Sequence, residues 1–168
     1  MVEVKVKDSV LQKAAELGMD EFIQVFIDGI KNAIGGELTA ETMALLNSDQ
    51  ITLLAWDILH EEVMDGGFVQ LIHNGYGGFI FINPTDKAFR EWGIIDLCSL
   101  LRKAHKSYNV HKKYLEAEYS DEEFMALYEN VPEFDDYDDC FVENEEEWTY
   151  DVAHYIDEHI DNFATIEK

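Results

Sequence analysis

Hydrophobic residues recur along most of this chain at the three- and four-residue spacing of an amphipathic helix. In DEFIQVFIDGIKNAIGG, Phe22, Val25, Phe26, Ile30 and Ile34 share one side, Asp20 is a candidate N-cap, and Gly35-Gly36 stand where a helix should end. TAETMALLN leads into SDQITLLAWDILHEEVMDGG, where Ile51, Leu54, Ala55, Ile58, Leu59 and Val63 keep helical register from a capping Ser48 to a stop at Gly66-Gly67. FVQLIHN fits a short helix, and NPTDKAFREWGIIDLCSLLRKAHKSY reads as one or two more, with Pro84 suited to a first turn. Ser120 and Glu123 have the spacing of a capping box ahead of Phe124, Leu127 and Tyr128. A last helix is expected from Glu143 to Phe163, with Trp148, Val152, Tyr155, Ile156, His159 and Phe163 on its packed side. Only VEVKV and FIFIN read as strands, and PEFDDYDDCF reads as a turn-rich acidic connector. The expected fold class is mostly α: a single-domain multi-helix bundle with at most one or two short strands.

Composition sharpens this picture. With 168 residues, 47% of them hydrophobic, the chain has material for one core, so residues 1–38 are expected to form the N-terminal helical region of a single domain. The same apolar content separates it from disordered acidic chains, although 36 Asp and Glu face only 12 Lys and Arg for a net charge of −24. Such a charge repels nucleic acid and anionic membranes, so neither is expected as a direct partner. The charge is unevenly spread: residues 1–115 hold 16 acids and 11 bases, whereas residues 116–168 hold 20 acids and one base. Just before the switch, Arg102, Lys103, Lys106, Lys112 and Lys113 fall in a stretch without any acid. The two cysteines, Cys98 and Cys140, are expected to be reduced thiols. MVEVKVKDSV lacks the layout of a secretory signal, and the expected location is the cytoplasm.

Familiar catalytic and ligand motifs fail on inspection. DGGFVQLIHNGYGG packs five glycines into fourteen positions, but Gly66-Gly67 follow a helix with no lysine nearby, unlike a phosphate loop. Architecture is the better reading: a glycine stop, then a turn at Asn74-Gly75. HEEVM begins like a zinc-protease helix at His60 and has Met64 where the second histidine belongs. His154 and His159 are five apart and point to different sides of a helix. Asp136 to Glu147 can be laid on an EF-hand loop, with Cys140 and Phe141 in place of a ligand and the turn glycine. No metal or cofactor is expected, and no serine has a nucleophile-elbow frame.

What remains is the acidic end. Twenty acids against one base exceed what solubility needs, because dense like charge costs stability. The expected site is a presented carboxylate surface. Glu143, Glu147, Asp151, Glu158 and Asp161 lie on the last helix, beside loop acids Asp135, Asp136, Asp138 and Asp139. Arginines and lysines built to grip phosphates suit such carboxylates, since both offer paired oxygen acceptors. The expected partner is therefore a basic DNA-binding protein, a regulator or a nuclease. An immunity or antitoxin-like inhibitor of one toxin is the first alternative, and a hydrolase with unidentified carboxylates the second. A homodimer is compatible with the apolar content.

The stretch DGGFVQLIHNGYG also resembles a bacterial family, that of DNA mimic protein nineteen. Gly66, Gly67, Phe68, Gln70 and Asn74 carry the resemblance, with Asp65 where the family commonly has asparagine and Trp56 in the helix before. It extends over roughly residues 40–163. The resemblance implies a mostly helical fold, no catalytic activity and, for the namesake, an acidic surface that imitates duplex DNA on a regulator's DNA-binding face. It assigns the Asp65 to Asn74 motif a structural role.

Overall fold

Nine α-helices, one π-helical turn and two three-residue strands make up the computed structural model, which describes residues 1–168. Their contacts group into two compact units, Met1–Leu54 with Glu147–Lys168, and Ala55–Glu146. No helix is long and apolar enough to cross a membrane.

The first unit is organised by α2 (Met19–Ala33), whose Ile23, Phe26, Ile27 and Ile30 are buried. VEVKV contributes β1 (Lys5–Lys7), which pairs in parallel with β2 (Thr165–Glu167), Val6 facing Ile166. The pair lies tight on α2 because Gly29 has no Cβ: one built there would come within 3.2 Å of the Val4 side chain. α1 (Asp8–Leu17) follows β1, and α2 ends as expected, with Gly35 and Gly36 at φ 86° and 98°. Gly18, not Asp20, is the N-cap of α2, and Asp20 falls in its first turn. α3 (Ala40–Met43) is capped by Thr39.

α4 (Ser48–His73) is capped one residue earlier than expected. Gln50 N–H donates to Asn47 Oδ1 at 2.8 Å, and Asn47 N–H donates back to Gln50 Oε1 at 3.0 Å, so Asn47 replaces Ser48 in that role. The Gln50 amide also donates to the Phe163 carbonyl. Trp148, Val152 and Ile156 of α8 (Glu133–Glu158) and Phe163 of α9 (Ile160–Phe163) complete the first core.

The second unit contains the latter part of α4, α5 (Thr85–Glu91), α6 (Ile95–Glu116), α7 (Asp121–Asn130) and the start of α8. α5 and α6 are separate helices because Gly93, at φ 87°, turns the chain between them. The α7 capping box forms as expected, with Glu123 N–H donating to Ser120 Oγ and Ser120 N–H to Glu123 Oε1. That same backbone donor lowers the Glu123 carboxyl below its ordinary range.

Two expected elements also take another form. FIFIN is not a strand but a π-helical turn, Gly78–Ile82. Phe81 stacks on Tyr108 with ring centroids 4.9 Å apart, and Gly77 admits the Tyr108 ring where any Cβ would collide. PEFDDYDDCF is not a connector: α8 already runs from Glu133, ten residues before the expected start. Its early acids, Glu133, Asp135 and Asp136, suit the positive end of a helix dipole, while Phe134 and Phe141 are buried a period of seven apart.

Candidate carboxylate surface and its structural support

The glycine-rich motif builds the support. Gly67 sits inside α4 with φ 77° and ψ −177°, a region open essentially to glycine, so the helix breaks there and resumes. The expected stop at Gly66-Gly67 is thus a break, and the expected FVQLIHN helix is the resumed part of α4. A break exposes amide donors without intrahelical acceptors. The Phe68 N–H donates to Asp138 Oδ1 of α8 at 2.8 Å, and the Tyr128 hydroxyl donates to the Gly66 carbonyl at 2.7 Å. A Cβ on Gly67 would collide with the Asp138 carboxylate, and one on Gly66 with Gln70.

The other motif residues serve the same joint. Phe68 is fully buried and meets Phe81 and Phe141 at 6.4 and 6.5 Å between ring centroids. The Gln70 amide donates to Glu62 Oε2 at 2.7 Å and to Asp65 Oδ2 at 3.0 Å, and the Asn74 amide donates to Glu62. Asn74 and Gly75 form a turn, with Gly75 at φ 92°.

α8 sorts its carboxylates by helical position. Asp138 is half-buried, and burial lifts its carboxyl to about 7; the Phe68 donor opposes that shift, and Asp135 and Asp139 add to it. Glu133 bonds the His111 ring, and Glu145 bonds His60 Nε2 at 2.6 Å. These three acids are engaged with other groups of the protein. In contrast, Asp135, Asp136, Asp139, Glu143 and Glu146 are all exposed. At about 100° per residue they fall within about 100° of arc, and they cover about 17 Å of helix axis. The result is one continuous face of carboxylates with no base among them.

In the first unit, α8 carries exposed Glu147, Asp157 and Glu158, with Asp151 half-buried. Glu147, Asp151, Glu158 and Asp161 do not all share one helix as expected, because the helix breaks at His159, φ −132° and ψ 34°, and the exposed Asp161 belongs to α9. Glu158 also pairs with His154. Glu146 and Asp157 are further exposed acids of α8; both lie inside the helix expected from Glu143 to Phe163, where the helical period places them opposite Trp148, Val152 and Ile156. The histidines are engaged with protein groups: His73 Nδ1 lies 3.0 Å from the Leu115 carbonyl, His159 Nδ1 2.8 Å from the Tyr155 carbonyl, and His105 stacks on Phe81. The EF-hand alignment fails because Asp136 to Glu147 is helix throughout.

A family model described as DMP19-like protein matches residues 44–159. The DNA mimic protein DMP19 of Neisseria meningitidis serogroup B (strain ATCC BAA-335 / MC58) is 35% identical over 127 residues, which is 75% of this chain and 77% of its own length. The chain belongs to the DMP19-like family. The matched span contains the Asp65 to Asn74 motif, and the DMP19-like region takes in α8 from its first residue through Glu158. The break in α4, its acceptor Asp138 and the exposed acids of α8 therefore all lie in the part of the molecule that the DMP19-like family shares.

Proposed function

We propose that this protein is a non-catalytic DNA mimic, which occupies the DNA-binding face of a basic regulator or nuclease through the exposed face of α8. The observation that carries the reading is the arc formed by Asp135, Asp136, Asp139, Glu143 and Glu146. Five charges over about 17 Å give one per about 4 Å, close to the roughly 3.4 Å between phosphates along one DNA strand. A groove lined with Arg and Lys meets a similar row of oxygen acceptors in both cases. Membership of a family that includes a DNA mimic protein supports the same reading.

α8 also explains how such a row is sustained. Like charges on successive turns repel, and a free helix of this composition would be destabilised. Here the opposite face is anchored by buried Phe134 and Phe141, by the His111 and His60 contacts, and by the Asp138 bond to the break in α4. Packing holds the charges in place.

The test is capture followed by competition. Immobilised protein is exposed to native lysate at low salt, and bound material is eluted with excess duplex DNA. The proposal expects a DNA-binding protein to be released by DNA, and expects Asp135→Asn, Asp139→Asn, Glu143→Gln and Glu146→Gln together to abolish its capture. A captured protein that DNA does not displace contradicts mimicry.

A further inference from the structure

The second unit carries a basic face as well as acidic ones. On α6, exposed Arg102, Lys103, Lys106, Val110 and Lys113 fall within about 100° of arc. Arg102 Nε donates to Asp86 Oδ2 at 3.0 Å, whereas the three lysines extend into solvent. Val110 stands among them with 77% of its surface exposed. In a chain of net charge −24, this face is the local exception.

α7 presents the converse. Asp121, Glu122, Met125 and Glu129 are exposed and also fall within about 100° of arc, and Met125 is 65% exposed in their midst. The two faces share a spacing when one is read backwards. Lys106, Val110 and Lys113 are separated by four and then three residues, and so are Glu129, Met125 and Glu122. Each is a charge, an apolar side chain and a charge on a single helical stripe.

We propose that these faces form a self-association surface, in which α6 of one copy receives α7 of a second copy in antiparallel orientation. Lys106 then faces Glu129, Val110 faces Met125, and Lys113 faces Glu122. Charge complementarity selects a second copy as the occupant, and a closed two-fold pair uses the contact twice. The contact leaves the exposed arc of α8 unused, so it stands or falls independently of DNA mimicry.

Ionic strength gives the association a signature. Two chains of net charge −24 repel over a Debye length of about 30 Å at 0.01 M salt, and over only about 8 Å at 0.15 M. The paired charges act at contact distance and are screened less than the overall repulsion. Association should therefore strengthen from low to physiological salt, and weaken again in high salt.

Sedimentation velocity across a concentration series tests this. The wild type should reach about twice the 19.4 kDa chain mass at about 0.15 M salt. Lys106→Glu with Lys113→Glu, and separately Glu122→Lys with Glu129→Lys, should each weaken association roughly tenfold or more. Mixing the two variants should restore a dimer that contains one copy of each. A monomeric wild type, an undiminished single variant, or a mixture that stays monomeric overturns the proposal. If a reversal loses its helical circular dichroism, Lys106→Gln with Lys113→Gln replaces it, and undiminished association of that variant is equally decisive.

Discussion

The Phe68 amide donates to the Asp138 carboxylate at 2.8 Å, joining residues 70 positions apart. Asp138 thereby acts as the cap of a helix that restarts in the middle of α4, on an acceptor supplied by α8. Removing the acceptor should cost what other N-caps cost, about 1 kcal/mol. Asp138→Ala is expected to unfold at correspondingly lower urea, whereas Asp138→Asn keeps an acceptor oxygen and should lose much less.

The same residue predicts a pH dependence. Its folded carboxyl titrates near 7, above the ordinary 3.8, because burial disfavours the charge. The fold therefore favours the protonated form. The stability this contributes is complete below about pH 4 and is lost as pH rises through 7. Asp138→Asn carries no charge, so its stability relative to wild type should rise between pH 4 and pH 8. A constant difference in urea unfolding across that window contradicts the assignment.

Gly67 and Gly35 separate strain from collision. Both have positive φ, 77° and 86°, but a Cβ on Gly35 meets nothing within 4 Å, whereas one on Gly67 meets the Asp138 carboxylate. Gly35→Ala should cost about 1 kcal/mol of backbone strain. Gly67→Ala should cost clearly more, since it displaces the cap as well, and thermal unfolding of the two variants measures the gap.

Tyr128→Phe removes the hydroxyl that donates to the Gly66 carbonyl and leaves the ring contact with Phe124 at 5.6 Å. A loss of about 1 kcal/mol is expected. Amide exchange in the resumed part of α4 should rise more than exchange in α2.

How much of this could be read from the sequence depended on range. The capping box at Ser120 and the glycine end of α2 are local signals, and both appear where the sequence places them. FIFIN misled because Phe79, Ile80, Phe81 and Ile82 are all apolar, which leaves a short run's period undefined; Ile80 and Phe81 are buried side by side while Ile82 is 69% exposed. The acidic run from Glu133 looked like a loop because its charge hid the apolar period set by Phe134 and Phe141. The motif of Gly66, Gly67, Phe68 and Gln70 was legible as architecture, but its partner was not. Nothing near Asp138 distinguishes it from Asp135, Asp136 or Asp139, and only the contact with Phe68 does.

Replacement of DNA by the α8 face is measured by fluorescence anisotropy of a labelled duplex bound to the captured DNA-binding protein, titrated with this protein. Anisotropy should fall to the value of free duplex, and the variant neutralised at Asp135, Asp139, Glu143 and Glu146 should need at least roughly tenfold more protein. If anisotropy holds or rises as a ternary complex forms, or if the neutralised variant competes as well as the wild type, the α8 face does not replace DNA.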